Sequence, residues 1–342
     1  MRYMITGGAG FIGSNFIYYM FEKYGTSIEI VNIDCLSYAG NLGNLNKLDN
    51  ELLSNNNYTF EKTNICDHES ISGIFRNYEP DYVINFAAES HVDRSIEDPQ
   101  IFLKTNVLGT QVLLENSLKY GVKRFHQVST DEVYGSLGQS GFFSESSPID
   151  PHSPYSASKA SADLICKAYF DTFRLPITIS RCSNNYGPYQ HPEKLIPMVI
   201  TNALVGKNIP VFGDGLNIRD WLHVDDHCRA IDLIVHKAED SEVFNIGGHN
   251  EFANINIVKL ILRELLNLLP KDHLSRNVIS EKLITFVDDR LGHDRRYAIN
   301  PEKMKKTFDW EPDISFKKGI KSTIKWYLDN QKWLNNLFQE KV

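Results

Sequence analysis

Residues Arg2-Tyr3-Met4-Ile5-Thr6-Gly7-Gly8-Ala9-Gly10-Phe11-Ile12-Gly13 pass from a short apolar run through a glycine-rich turn into a helical pattern. The turn satisfies Gly-x-Gly-x-x-Gly from Gly8 and Gly-x-x-Gly-x-x-Gly from Gly7. Either spacing turns the chain tightly, lets backbone approach a pyrophosphate, and aims the partial positive charge of a helix N-terminus at the phosphates. Asp34 closes the next apolar run 21 residues after Gly13, where an acid accepts hydrogen bonds from an adenosine ribose and repels a 2′-phosphate. The stretch therefore predicts a dinucleotide site that favours NAD over NADP.

Outward from this turn, β-branched and aromatic runs alternate with helical periodicity, the signature of repeated βαβ units. Strands are expected at Tyr3–Thr6, Ile28–Asp34, Thr59–Ile65, Tyr82–Ala87, Arg124–Ser129, Ile177–Arg181 and Val243–Ile246. Helices are expected at Phe11–Glu22, Glu69–Tyr78, Pro99–Tyr120 and Pro154–Phe173, the last capped by Ser153 with Pro154 in its first turn. Several of these strands are almost wholly apolar, as in a parallel sheet covered on both faces. The fold class is α/β, a Rossmann-type doubly wound parallel sheet with a smaller C-terminal substrate-binding domain. Residues 1–184 form the expected dinucleotide domain, with a later return near 220–250, and 185–342 form mainly the substrate part. There Pro188, Pro192 and Pro197 punctuate loops, and Phe316, Ile320, Ile324 and Leu328 recur every four residues as one helix face. Asn64-Ile65 and Ala87-Ala88, at the ends of the third and fourth strands, are expected to flank the adenine and leave room for the cofactor.

A chain of 342 residues with 42% hydrophobic content can bury a large core. Its net charge of -7 gives no reason to expect nucleic acid or membrane surfaces as partners. Met1–Ile5 runs straight into the glycine turn, without the charged and apolar regions of a signal peptide, so a cytoplasmic location is expected. The five cysteines are scattered and form no Cys-x-x-Cys pair, which argues against a disulfide framework or thiolate zinc site. No metal is expected. His223 and His227 have metal-like spacing, but a helix start with solvated polar residues accounts for them; Ser90, His91 and Asp93 lie too close in sequence for a nucleophile relay.

Tyr155 and Lys159 are four apart on the expected Pro154–Phe173 helix and share a face. A tyrosine of pKa about 10 becomes a usable base when an ammonium and an oxidised nicotinamide favour its phenolate. Two adjacent carboxylates, Asp131 and Glu132, follow Thr130 nearby. Unequal burial and mutual repulsion can hold such a pair in opposite protonation states. The set suits a reaction in which oxidation acidifies a carbon, water is expelled and the hydride returns.

Together these features resemble the extended, sugar-nucleotide-modifying branch of the short-chain dehydrogenase/reductases. Closer motifs are Ala87-Ala88-Glu89-Ser90-His91-Val92-Asp93-Arg94-Ser95, Ser129-Thr130-Asp131-Glu132-Val133-Tyr134-Gly135, Arg181-Cys182-Ser183-Asn184-Asn185-Tyr186-Gly187-Pro188-Tyr189 and Asp289-Arg290-Leu291-Gly292-His293-Asp294-Arg295-Arg296. These look like the dTDP-glucose 4,6-dehydratase family, with similarity along essentially the whole chain. The resemblance implies tightly bound NAD regenerated in each cycle, a dTDP-glucose substrate, and a homodimer in which Pro99–Tyr120 and Pro154–Phe173 build a four-helix bundle. It implies that Tyr155, Lys159 and Thr130 deprotonate the 4-hydroxyl, Glu132 takes the C5 proton, and Asp131 protonates the departing 6-hydroxyl. Carried over residue by residue, NAD would touch Gly7, Gly10, Phe11, Ile12, Gly13, Asp34, Cys35, Leu36, Ser37, Asn64, Ile65, Ala87, Ala88, Thr105, Tyr155, Lys159 and Asn185. The sugar nucleotide would touch Ser90, Thr130, Asn184, Lys194, Leu195, Pro210, Phe212, Arg219, Asn254, Arg290 and His293.

Lys194, Arg219 and Arg290 also make sense alone, since a pyrophosphate in an acidic protein needs local cations. Pro210-Val211-Phe212 reads equally as a contact to the base or as an edge strand. Two departures from the family pattern are Asn64, where an aspartate is usual, and Leu291, where proline or alanine is common. Two other readings stay open: a related dehydratase or epimerase on a UDP-sugar, and a non-catalytic NAD-binding regulator. Asp131 and Glu132 oppose the epimerase, and the intact Tyr155 and Lys159 oppose the regulator.

Overall fold

The computed structural model describes residues 1–48 and 50–339; the end of the expected C-terminal part, 340–342, lies outside them. In chain order the strands are β1 (Arg2–Thr6), β2 (Glu29–Asp34), β3 (Tyr58–Lys62), β4 (Tyr82–Asn85), β5 (Arg124–Thr130), β6 (Ile177–Cys182), β7 (Asn184–Tyr186), β8 (Ile209–Phe212), β9 (Ile218–His223), β10 (Glu242–Ile246), β11 (Glu251–Ala253) and β12 (Ile284–Val287). Seven form one sheet in the order β10-β6-β5-β4-β1-β2-β3, with every neighbouring pair parallel. The order reverses between β1 and β4. In doubly wound sheets a ligand crevice opens at that switch, outside the carboxyl ends of the strands.

Apolar layers cover both faces of the sheet. On one, Phe16, Ile17 and Met20 of the helix Phe11–Tyr24 pack with Ile231, Ile234 and Val235 of the helix Val224–Lys237. On the other, Ile71, Phe75, Leu113 and Cys166 close over Val31, Val83 and Phe125. Every residue of β6 is buried, which is why that strand reads as continuous rather than alternating. A separate core joins the helices Leu195–Val205, Asn254–Leu268 and Phe316–Asp329 through Val199, Ile200, Ile257, Ile261, Ile320 and Ile324. In the last helix Leu328 is only half-buried, and neighbouring Tyr327 takes the deep position.

Three expectations need correction. β3 ends at Lys62 and β4 at Asn85, so Asn64-Ile65 and Ala87-Ala88 lie in loops beyond the strand ends. Asn64 turns the chain by accepting the Cys66 N–H at 2.9 Å. The expected helix Pro99–Tyr120 is α-helical over Pro99–Phe102 and Thr110–Lys119, with a π-helical segment over Leu103–Gly109. Asn106, buried in that segment, exchanges hydrogen bonds with both backbone groups of Glu89, so a tertiary contact overrides regular helix geometry. Finally, His223, Asp226 and His227 are buried rather than solvated. Asp226 accepts the Asp313 and Ile314 N–H groups, and His227 is bonded to Asn185 Oδ1 at 2.9 Å.

Two histidines sit fully inside this frame. His126 bridges Thr178 and Ser180 of the adjacent strand, and burial pushes the pKa of His126 and of His227 down to about 3. Both stay neutral when folded but take up protons near pH 6.5 when unfolded. Their contribution is complete above about pH 6.5 and declines as pH falls towards 3, by up to about 1.4 kcal/mol per pH unit per histidine. Denaturant unfolding at stepped pH should show this loss, and a His126→Gln, His227→Gln double variant should flatten the slope; an equal slope would contradict it.

Candidate functional site

The glycine turn is built for close approach. Gly7 has φ +70, and a Cβ there would lie 2.6 Å from the Ala87 nitrogen; a Cβ on Gly13 would lie 2.4 Å from the Gly7 oxygen. At Gly10 a Cβ would meet only the Gly7 oxygen and otherwise fill the crevice. The helix Phe11–Tyr24 begins there with no side-chain cap and no acid in its first turn, leaving its N–H groups for an anionic ligand. At the end of β2, Asp34 is fixed by the Ala9 N–H on Oδ2 at 3.0 Å and the Leu36 N–H on Oδ1 at 2.8 Å.

A cavity of about 410 Å³ runs from this turn across the sheet's carboxyl edge. It brings together Gly7, Gly10, Phe11, Ile12, Gly13, Asp34, Cys35, Ser37, Asn64, Ile65, Ala87, Ala88, Thr105, Tyr155, Lys159 and Asn185. It also takes in Ser90, Thr130, Asp131, Glu132, Asn184 and Lys194. The π-helical segment carries Thr105 to its wall. Leu36 instead faces a second cavity on the far side of its loop, and Leu195 opens the helix Leu195–Val205 outside the first cavity's lining.

At the end of β5 the chain enters a tight turn, Asp131–Tyr134, with Thr130 Oγ1 accepting the Glu132 N–H at 3.3 Å. Gly135 ends it at φ +82, where a Cβ would lie 2.3 Å from the Asp150 oxygen. The turn gives the two acids different surroundings. Asp131 is 2% exposed, its Oδ1 meets the Thr130 hydroxyl at 3.4 Å, and its Oδ2 has no protein partner. Burial first, then Glu132 and Asp220, push its pKa well above the usual carboxylate range. Glu132 is raised by burial too, but Arg219, Lys194 and Arg290 pull it back.

The helix Pro154–Phe173 opens with a capping box between Ser153 and Ser156, fixing its first turn and hence Tyr155. Lys159, one turn on, donates to Val128 O at 2.7 Å. Burial raises the Tyr155 phenol well above 10, opposed by the Thr130 hydroxyl, and lowers the Lys159 ammonium, opposed by Asp163.

Pro210, Phe212, Arg219, Asn254, Arg290 and His293, expected at the substrate, are not among the residues that line the first cavity. Lys194 donates to Ser90 O at 2.8 Å. Arg290 lies over the Phe212 ring, 4.7 Å from its centroid, and its guanidinium donates to Asp93 at 2.9 Å. His293 contacts Phe212 edge-on and hydrogen-bonds Asp289. Pro210 and Phe212 belong to β8, which pairs only with β12 among the described residues. Arg219 lies 4.2 Å from the Tyr297 ring centroid, and Asn254 keeps a buried Oδ1 without partner. Sequence reasoning missed Glu193, which lines the cavity beside His91 and Arg94. It also missed Asp220, and Tyr297, whose hydroxyl donates to Asp294 at 2.6 Å. Tyr297 directly follows the Asp289–Arg296 motif, and extending that motif by one residue would have found it.

The GDP-mannose 4,6 dehydratase family model matches residues 4–323. The chain is 46% identical to a dTDP-glucose 4,6-dehydratase of Escherichia coli over 97% of this chain and 95% of that protein. It is 47% identical to that of Neisseria meningitidis serogroup B over 98% and 96%. The chain belongs to the dTDP-glucose 4,6-dehydratase family. The family member from Bacillus anthracis, solved in complex with NAD, superposes at TM-score 0.87 with 49% identity, covering 98% of this chain and 99% of that one. A UDP-glucose 4-epimerase of Thermotoga maritima, solved with UDP-glucose, superposes almost as well, at 0.85 with 31% identity over 97% and 100%. The fold thus hosts more than one reaction, and the site has to discriminate between them.

Proposed function

We propose that this chain is an NAD-dependent dTDP-glucose 4,6-dehydratase, converting dTDP-glucose to dTDP-4-keto-6-deoxyglucose and water. One observation carries the reading: a deeply buried acid with an unpartnered oxygen, Asp131, adjoins Glu132, whose charge Arg219, Lys194 and Arg290 favour, in the same cavity as Tyr155 and Lys159. NAD fits the remainder, because Gly7, Gly10 and Gly13 shape a pyrophosphate cradle and Asp34 stands at the ribose position. Held there, NAD would supply the reversible hydride acceptance that the reaction needs between C4 and C6 of the sugar.

The chain's own groups move the protons. Tyr155 accepts the 4-hydroxyl proton, with the Lys159 ammonium favouring the phenolate and Thr130 orienting it. The resulting 4-ketone acidifies C5, and Glu132 takes that proton. Asp131, protonated by burial, delivers its proton to the departing 6-hydroxyl, and Glu132 then restores a proton to C5. Lys194, Arg219 and Arg290 neutralise the pyrophosphate of the sugar nucleotide, with Phe212 beside the base and Asn184, Asn254, Ser90 and His293 lining the remaining wall. In this division of labour residues 1–184 with the return near 220–250 hold the cofactor, and 185–342 mainly hold the sugar nucleotide.

Mass spectrometry after incubation with dTDP-glucose should show loss of one water, and unchanged substrate on NAD-loaded protein would contradict the assignment. Glu132→Gln should stop elimination, lowering turnover by at least about 10²-fold, while C4 oxidation still registers as reduced-nicotinamide absorbance. Normal turnover would remove Glu132 from its role.

The active unit of this reading is a cytoplasmic homodimer. Leu103, Leu108, Leu118, Leu164 and Phe173 leave large apolar side chains exposed along the helical segments Pro99–Lys119 and Pro154–Phe173, a pattern that suits a four-helix bundle between two copies. The five cysteines are free, which suits a reducing compartment. Sedimentation should give twice the chain mass, and Leu108→Lys should shift the distribution towards monomer; a wild-type monomer at micromolar concentration would contradict the bundle.

A further inference from the structure

The loop that follows Asp34 forms one wall of the first cavity through Cys35, Ser37, Ala39 and Gly40. Towards its end the loop enters the core through buried Leu45. A second cavity of about 820 Å³ separates its outer side from the C-terminal helix Gln331–Gln339. Discrete hydrogen bonds join the loop to the glycine turn and to that helix. Asn44, 2% exposed, donates through Nδ2 to the Ala9 oxygen at 2.8 Å, and the Asn41 N–H donates to the same oxygen at 3.0 Å. Ala9 lies within the glycine turn and gives its own N–H to Asp34. From the opposite side, the Trp333 indole N–H donates to Asn44 Oδ1 at 2.8 Å.

Trp333 is itself held. Its ring contacts Tyr189, Trp326 and Tyr327 edge-on at centroid distances of 5.8, 5.0 and 6.1 Å. Tyr327 donates to Gln190 O, and Gln190 lines the first cavity. The end of the chain is thus tied to two segments that line the first cavity, the loop after Asp34 and the Tyr189-Gln190 stretch.

We propose that Trp333 and Asn44 are positioning residues for the dinucleotide: they clamp the 36–47 loop and the Ala9 peptide in the geometry that holds the cofactor. The proposal rests on the reading of the first cavity as an NAD site. The Asn44 amide is read from both ends, donor to Ala9 and acceptor from Trp333, so losing the indole N–H releases the amide to rotate and loosens the turn it braces. Neither residue needs to touch the cofactor.

The test uses the full-length protein stripped of cofactor, with NAD and dTDP binding measured separately by calorimetry. Trp333→Phe keeps an aromatic ring in the cluster but lacks the N–H; Asn44→Ala removes the other partner and serves if the first variant folds poorly. Each should raise the NAD dissociation constant roughly three- to ten-fold, the scale of one lost neutral hydrogen bond. The double variant should be no worse than Asn44→Ala, and dTDP affinity should stay within about twofold. NAD affinity within twofold of wild type, additive effects, or parallel losses of NAD and dTDP affinity would overturn the clamp. Absence of NAD binding to the wild type would instead overturn the reading of the cavity.

Discussion

The structure depends on burying two adjacent carboxyl groups at the carboxyl end of β5. Isolated carboxylates are costly to desolvate, and a buried pair of like charges more so. The chain resolves the conflict asymmetrically. Burial raises the pKa of both, Asp131 the further, and at Glu132 the rise is opposed by Arg219, Lys194 and Arg290. Those cations come from the second half of the chain, so the charge balance just beyond β5 draws on both halves. The proposed division into a proton donor and a proton acceptor rests on this asymmetry.

Much of the frame was legible in the sequence because it is local. The glycine turn, Asp34 and the Pro154–Phe173 helix each combine a motif with a boundary signal, and they lie where the periodicity places them. β3 and β4 ended early because Asn64 and the crossing glycine turn impose geometry that propensity does not encode. The π-helical segment is another such case, since Asn106 bends to a backbone partner 17 residues away.

The site was legible to a different depth. Ser90, Thr130, Asp131, Glu132 and Asn184 of the contiguous motifs line the cavity, Arg290 and His293 of the Asp289–Arg296 motif do not, and Asp220 and Glu193 meet neighbours distant in sequence. Arg290 shows the same limit, because its pairing with Asp93 spans 197 positions. The histidines at 223 and 227 mislead in the other sense: polar residues at a helix start ordinarily face water, yet here the helix packs into the sheet layer and buries them. The clamp through Trp333 and Asn44 spans 289 positions and leaves no local trace.

The central claim is that Asp131 holds a proton at neutral pH beside an ionised Glu132. Infrared difference spectroscopy between the wild type and Asp131→Asn, recorded near pH 7, addresses it directly. The account predicts that the substitution removes a protonated-carboxyl band, and that the band persists upon modest alkalinisation in the wild type. Loss of an ionised-carboxylate band instead would show Asp131 to be charged and would contradict its assignment as the proton donor.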